Sequence, residues 1–352
     1  MPGVATGGVH CQAANNNLDV CRDRGRTYLA WRTAPSHFAS PAARLEVTSC
    51  ELLDGPWRHE ATVELGCDVR EPRWIVGPDG PQLWFVRLGV DPKRFQPGGV
   101  WRVRKRGAGW AEPEAMLDST TMMWRIRRFA EGYAMFSYRG AEAMYSPRPR
   151  DPAVELRWSE DLDVWSDPVT IHPGGTEFDA VQRRSGTSAG GPIYVGVSRN
   201  EGPSRRGGDV VAGDSLTDLR VMPIARKPDS PLVFEWRGEV WCWARRSLRA
   251  GGTYDRVPRA TPGSLAIRVD QAWWSLSRKR SSLYRVDAVN GRLDWQLDLP
   301  SRGDCSFAAL VDVNDDELLV ADYSTPSSRR DGSWIRGQLG PTEIRLWSVR
   351  VG

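Results

Sequence analysis

Acidic side chains recur along this 352-residue chain, each followed at a short interval by a basic or phenolic one. Asp19, Asp68, Asp118, Asp179, Asp229 and Asp304 each open an apolar segment. The next apolar segment ends in Arg32, Arg87, Tyr138 with Arg139, Arg199, Arg245 with Arg246, or Tyr323. A guanidinium fork meets a carboxylate through two parallel hydrogen bonds, so arginines at such ends could hold an anionic ligand. Arg70 lies two residues after Asp68 and so shares its strand face. Arg70, Arg199 and the Arg245–Arg246 pair can act as such a clamp or as salt-bridge partners of neighbouring acids. Tyr323 can be a nucleophile if a carboxylate takes its proton, or a hydrogen-bonding wall. Glu177, two residues before Asp179, can be that carboxylate or one more acid of the rim. His37, in APSHFASP, can touch a ligand hydroxyl or simply cap a loop.

These residues need a scaffold that brings strand ends together. The six acids are 49, 50, 61, 50 and 75 residues apart, and 48 residues follow the last, which suits four strands and their turns per unit. The spacing predicts an all-β protein, a six-bladed β-propeller, with a five-bladed ring as the alternative. The blades are expected at about 13–66, 67–117, 118–175, 176–227, 228–302 and 303–352 of one domain. Third strands are read at ARLEVTS, GVWRVRKR, VELRWSED, LTDLRVM, SLYRVDAV and TEIRLWSVR, and fourth strands at Trp57, Trp110, Trp165 and Trp295. The sixth unit has no room for a fourth strand, so residues 4–12 are expected to supply it and close the ring. In a hairpin the start of the first strand and the end of the second share one edge. Arg32, Asp68, Tyr138, Asp304 and Trp124, on these first two strands, are therefore expected with the arginines around one central funnel.

Composition agrees and excludes other classes. There are 17 Trp, 35 Gly and 25 Pro, a turn-rich count that argues against long helices. Hydrophobic residues make up 40% and charged residues 26%, too apolar for a disordered chain, yet no window is apolar enough for a membrane helix. The net charge is +4 and basic runs such as Arg278–Arg280 are short, so no nucleic-acid partner is expected. Six scattered cysteines and four isolated histidines predict no metal site, and phosphate-loop, dinucleotide and serine-elbow motifs are missing, so no cofactor is expected. The N-terminal segment shows no secretion signal, which points to the cytoplasm. The expected partner is a small molecule or glycan, and the chain is expected to be a monomer.

The segments YLAWRTAPSHFASPAARLEV, CDVREPRW, TEFDAV, VSRNEG and GDCSFAALVDVNDDELLVADYSTP together resemble the sialidase-like, BNR-repeat propeller superfamily. The Asp-box of that superfamily is present in degenerate form in SEDLDVW and SCELLDGPW. The resemblance implies a glycoside hydrolase for an acidic or modified sugar, with Arg70, Arg199 and Arg246 on the substrate carboxylate, Tyr323 as nucleophile and Glu177 as its partner. It places an acid/base aspartate in the loop after the first hairpin, where SHFASPAARL holds no carboxylate. A carbohydrate-binding or interaction propeller without that acid is the alternative.

Overall fold

In a computed structural model, described here for residues 7–140, 142, 150–183, 193–203, 206–224, 226–248, 263–314 and 316–350, the chain forms six antiparallel sheets in sequence order. The first holds β1 (Ala14–Asp23), β2 (Arg26–Ala34), β3 (Arg44–Cys50) and β4 (Arg58–Val63). The second holds β5 (Val69–Gly77), β6 (Gly80–Leu88), β7 (Pro97–Arg106), β8 (Gly109–Trp110) and β9 (Glu114–Leu117), with β8 and β9 both paired to β7. The third runs β10 (Met122–Phe129), β11 (Gly132–Arg139), β12 (Ala153–Ser159), β13 (Val169–Pro173), and the fourth β14 (Gly175–Gln182), β15 (Tyr194–Glu201), β16 (Arg206–Ser215), β17 (Asp218–Ile224). The fifth is β18 (Asp229–Trp236), β19 (Glu239–Ser247), β20 (Lys279–Asp287) and β21 (Arg292–Asp298). Helix α1 (Gly263–Leu276) is inserted between β19 and β20. The sixth has β22 (Cys305–Val313), β23 (Leu318–Ser324) and β24 (Glu343–Val349), with α2 (Trp334–Gln338) before its last strand. The architecture is a six-bladed β-propeller.

Burial explains why the sheets form a ring. Each seam between neighbouring sheets is filled by its own apolar cluster, such as Tyr28, Leu83 and Phe85 between the first and second, or Trp243, Leu283 and Leu318 between the fifth and sixth. Tryptophan supplies much of this: Trp31, Trp84, Trp124 and Trp243 are among the largest fully buried side chains, and truncating such a side chain costs about 3–5 kcal/mol. Trp57, Trp110 and Trp165 of the fourth-strand regions also pack into seams. Trp295 does not; it is 46% exposed and stacks on Arg246.

The ring does not close as the sequence reading expects. The sixth sheet has three strands, and residues 7–12 form none; residues 4–6 lie outside the described residues. Residues 10–12 are tied to the first sheet and the loop beside it: Gln12 bonds Thr33 and the Ala42 carbonyl, and Arg44 bonds the carbonyl of His10. Closure comes instead from β1 packing on the sixth sheet, sealed by Leu18, Trp31 and Ala321 and by Thr342, which exchanges hydrogen bonds with Asn15. The fourth unit is also corrected: LTDLRVM is the fourth strand, and RGGDVVAGDS is the third, its glycines disguising it as a loop. Gly208 is required there, because a Cβ would meet the Pro228 ring at 2.3 Å. Part of the long fifth unit is α1, and residues 249–262 lie outside the described residues.

One local device recurs in all six blades. Every first strand is bulged near its start: between Asn16 and Leu18, Arg70 and Arg73, Met123 and Arg125, Gly175 and Phe178, Asp229 and Leu232, and Ser306 and Ala309. A bulge inserts a residue and re-aims side chains. The backbone at Asn17 (φ 45°), Glu71 (55°), Ser230 (56°) and Phe307 (53°) is left-handed, which non-glycine residues adopt only at some cost.

Candidate functional site

Asn17, Glu71, Glu177 and Phe307, all from the bulges, line one cavity of about 340 Å³ on the rim where first strands begin. Arg70, Arg199, Arg245, His37, Tyr138 and Trp334 form part of its polar and aromatic wall, with Asp229, Lys93 and Arg94 also lining it. Beneath it the axis is plugged. Trp124 is 2% exposed and packs edge-on against Phe307, and the Arg73 guanidinium lies 4.6 Å from its ring centre. Trp124, a candidate ligand contact from sequence, is therefore part of the plug.

Of the four arginines lining the cavity, Arg94 is exposed, and Arg70 and Arg245 each keep a nitrogen that makes no hydrogen bond. Arg70 bonds Asp68 through Nε (3.3 Å) and Nη2 (2.6 Å), and Nη2 also reaches the His37 carbonyl. Arg245 spends Nε on the Cys305 carbonyl and Nη2 on the Tyr323 hydroxyl, with Nη1 3.6 Å from Asp229. Nη1 of each thus finds no hydrogen-bond acceptor among the described residues. Arg199 is more heavily neutralised, contacting Glu177, Glu201 and Asp229.

Glu71 and Glu177 set the acid–base character of the cavity. Burial pushes the Glu71 carboxyl up to about 7; nearby Glu177 adds to the rise, and Arg73 opposes it. Asn17 donates to Glu71 at 2.7 Å. Glu177 is also raised by burial, against the pull of Arg199, and it accepts a hydrogen bond from the Ser230 amide.

Behind the wall lies a network centred on Asp68 and Asp304. Asp68 is fully buried and binds Arg32 as well as Arg70. Arg32 donates onward to the carbonyls of Ser36 (3.1 Å) and Phe38 (2.9 Å). With Arg70 on the carbonyl between them, three successive carbonyls around His37 are held by arginine. His37 Nδ1 meets Asp304 Oδ2 at 2.6 Å. Asp304 Oδ1 accepts from the Tyr323 hydroxyl (3.1 Å) and the Trp334 indole (3.0 Å). Burial alone would push the Asp304 carboxyl up, but His37, Arg245 and Tyr323 outweigh it and hold it below the ordinary range.

Of the residues singled out from sequence, Arg70, Arg199, Glu177, His37 and Tyr138 meet around the cavity. Arg32, Asp68 and Asp304 stand one layer behind. Tyr323 is completely buried, does not line the cavity, and has Asp304 and Arg245 as hydroxyl partners instead of Glu177. Burial, reinforced by Asp304, raises its pKa well above the ordinary value. Arg246 is on the opposite face of β19, paired with Asp298, and its neighbour Arg245 takes the cavity position. Asp19 and Asp179 lie inside their strands, where they accept amide hydrogen bonds from Trp74 and Val233 of the next blade. They clamp neighbouring blades. Glu71, Phe307 and Trp334 line the cavity but fall outside the expected site, and of the Arg245–Arg246 pair it is Arg245 that faces the cavity.

A larger cavity, about 720 Å³, opens on the opposite rim beside Glu131, Glu160, Asp161 and Asp214. It holds none of the arginines. Asp161, from the degenerate Asp-box, closes a turn there by accepting from the amides of Asp163 and Val164. Among the described residues no group of three His, Cys, Asp or Glu is placed to hold a metal ion, and no helix is long and apolar enough to cross a membrane.

No protein-family model and no curated protein matches the sequence. Solved structures do match in fold. A protein of unknown function from Dyadobacter fermentans is 12% identical, with 98% of this chain and 97% of that one covered and a TM-score of 0.64. The sialidase of Trypanosoma rangeli is 11% identical over 98% of this chain with a TM-score of 0.60. A β-fructofuranosidase of Bombyx mori is 11% identical over 96% of this chain with a TM-score of 0.50. The chain spans 57% of the sialidase and 61% of the fructofuranosidase. The first two of these structures share the six-bladed β-propeller fold with this chain.

Proposed function

We propose that this chain is a glycoside hydrolase that takes an acidic sugar into the arginine-lined cavity. The observation that carries the reading is that Nη1 of Arg70 and Nη1 of Arg245 make no hydrogen bond, the latter facing Asp229 at 3.6 Å, in one cavity with Glu71 and Glu177. Each of these nitrogens keeps hydrogen-bonding capacity to spare, and a sugar carboxylate supplies two oxygens to accept from them. Glu71 is the proton donor: with its carboxyl pushed up to about 7, roughly half the molecules carry the proton at pH 7 and can give it to the departing glycosidic oxygen. Glu177, fixed by Arg199 and the Ser230 amide, faces the same space and stabilises positive charge developing on the sugar ring. The sialidase neighbour has been solved in complex with sialic acid, which agrees with an acidic sugar.

The test is hydrolysis of a fluorogenic panel of an N-acetylneuraminide, a glucuronide and a neutral galactoside by the full chain and by Arg70→Lys and Arg245→Lys. Cleavage confined to the acidic members, reduced at least tenfold in kcat/KM by each lysine, is the expected result. Equal cleavage of the galactoside, or lysine variants within twofold of the parent, overturns the reading. A second reading, a carbohydrate-binding propeller without turnover, is favoured by the burial of Tyr323 and the lack of a carboxylate in residues 35–43. Calorimetric binding of free N-acetylneuraminate or glucuronate with no cleavage of any panel member would select it.

A further inference from the structure

We propose that His37, oriented by Asp304, is the general base of this cavity and takes a proton from the water that attacks the bound sugar. The inference rests on the acidic-sugar reading above and adds a residue with no counterpart in it.

The geometry begins with the loop between β2 and β3. Its backbone is held on both sides of His37 by arginines anchored on one buried carboxylate, Asp68. The amide of His37 adds a hydrogen bond to the carbonyl of Gln338 at 3.3 Å. Such fixing is what a proton-transfer group requires, because misplacement by about 1 Å can cost on the order of 100-fold in rate.

The ring is fixed as firmly as the backbone. Its Nδ1 is 2.6 Å from Asp304 Oδ2 and 3.2 Å from the Asn16 amide nitrogen, so the shorter, charge-assisted contact takes the Nδ1 proton. Nε2 is then left with its lone pair. It finds no hydrogen-bond partner among the described residues, and the side chain lines the cavity. Asp304 cannot swing away, since Tyr323 and Trp334 both donate to its other oxygen. The charged or titratable groups around this unit are Asp304, Asp68, Arg32, Arg70, Arg245 and Tyr323, with Glu71, Lys93 and Arg94 lining the same cavity. Burial, with Arg70 and Arg32 adding to it, drives the His37 pKa below its ordinary value against the pull of Asp304. The ring is therefore neutral at pH 7 and able to accept a proton.

The step balances. As the water oxygen forms a bond to the anomeric carbon, its proton moves to His37 Nε2. The bond from that carbon to the leaving oxygen breaks, and this oxygen takes the proton of Glu71. One water is consumed, two hydroxyl products leave, and His37 and Glu71 return to their starting states by proton exchange with solvent.

The experiment has two arms. In the first, the imidazole nitrogens of uniformly ¹⁵N-histidine-labelled full chain are followed by NMR from pH 5 to 8, with His37→Gln assigning the signal and Asp304→Asn as comparison. The expected result is a neutral, Nδ1-protonated ring at pH 7 that changes tautomer or pKa in Asp304→Asn. An Nε2-protonated ring, or no response to Asp304→Asn, overturns the proposal. In the second, the fluorogenic panel is assayed with His37→Gln and His37→Ala, their folding checked by circular dichroism. A kcat loss of about 100-fold or more, the scale of general acid–base catalysis, is expected with KM within threefold and partial recovery of His37→Ala by added imidazole. Turnover that survives His37→Gln within threefold overturns this proposal alone and leaves the arginine pocket standing. A wild-type chain that cleaves no panel member overturns the hydrolase reading and this one together.

Discussion

Asp68 grips Arg32 through two hydrogen bonds, Nε to Oδ1 at 3.0 Å and Nη2 to Oδ2 at 2.9 Å, with both side chains sealed from solvent. The same carboxylate also holds Arg70. One anion thus fixes two cations, of which the first shapes the His37 loop and the second enters the cavity. Burial pushes the Asp68 carboxyl up, but the two guanidiniums overcome it and hold it below the ordinary range. This group contributes stability that is present above its unfolded pKa and is lost as pH falls through the lowered folded value.

Replacing Asp68 by Asn is expected to cost at least about 3 kcal/mol, because removing one partner of a buried ion pair leaves an uncompensated charge. Here two guanidiniums are left. Denaturant unfolding at pH 7 measures it, with the midpoint shifting and the slope unchanged. A loss below about 1 kcal/mol would show that the Arg32–Asp68–Arg70 unit does not hold the rim together.

Tyr323→Phe separates two roles for the phenol. If Tyr323 were the nucleophile, removing its oxygen would abolish turnover. Buried behind Phe307 and bonded to Asp304 and Arg245, it is a support, and its loss is expected to cost about 1–2 kcal/mol of stability. Cleavage of an acidic glycoside should stay within about tenfold of wild type. Complete loss in a variant of unchanged fold would return Tyr323 to the reaction.

Glu71 gives a pH signature of definite sign. Its carboxyl has a folded pKa of about 7 against an ordinary 4.5, so the folded state binds the proton more tightly than the unfolded state between those values. The proton's stabilisation is complete below about pH 4.5 and is lost as pH rises through 7. Wild type should therefore lose about 3 kcal/mol relative to Glu71→Gln between pH 4.5 and 8, at 1.36 kcal/mol per pKa unit. Asp322, also pushed by burial to about 7, is present in both proteins and cancels. A stability difference that is flat across this window would place the Glu71 pKa near its ordinary value.

The fold was legible because apolar segments recur with the repeat and because most strands alternate. The site was legible only in part. Arg70, Arg199 and Tyr138 stand at or next to strand ends that the repeat exposes. Glu71 carries no such signal, since the bulge that turns it into the cavity inserts a residue and breaks the two-residue period. Trp334 comes from a short helix in a connection, where no periodicity points inward. The three-stranded last blade was legible, but the manner of closure was not: packing of β1 against three strands closes the ring with no fourth strand from residues 7–12.

Arg245 and Arg246 show the parity problem most sharply, and they supply the last prediction. β19 reads EVWCWARRS and both its faces are buried, with Trp241, Trp243 and Arg245 on one and Val240, Cys242 and Ala244 on the other. Such a strand lacks the polar–apolar alternation that assigns a face, so sequence alone could favour the wrong arginine. Arg246 pairs with the partly exposed Asp298 and stacks on exposed Trp295. A partly exposed pair contributes little, so Arg246→Ala should cost no more than about 1 kcal/mol. Binding of N-acetylneuraminate or glucuronate, measured by calorimetry, should stay within twofold. Arg245→Ala removes a cavity donor and leaves Asp229 and Asp304 without their shared cation, so it should weaken the same binding at least tenfold. Reversal of that order, with Arg246→Ala the more damaging, would mean that the ligand enters from the other face of β19.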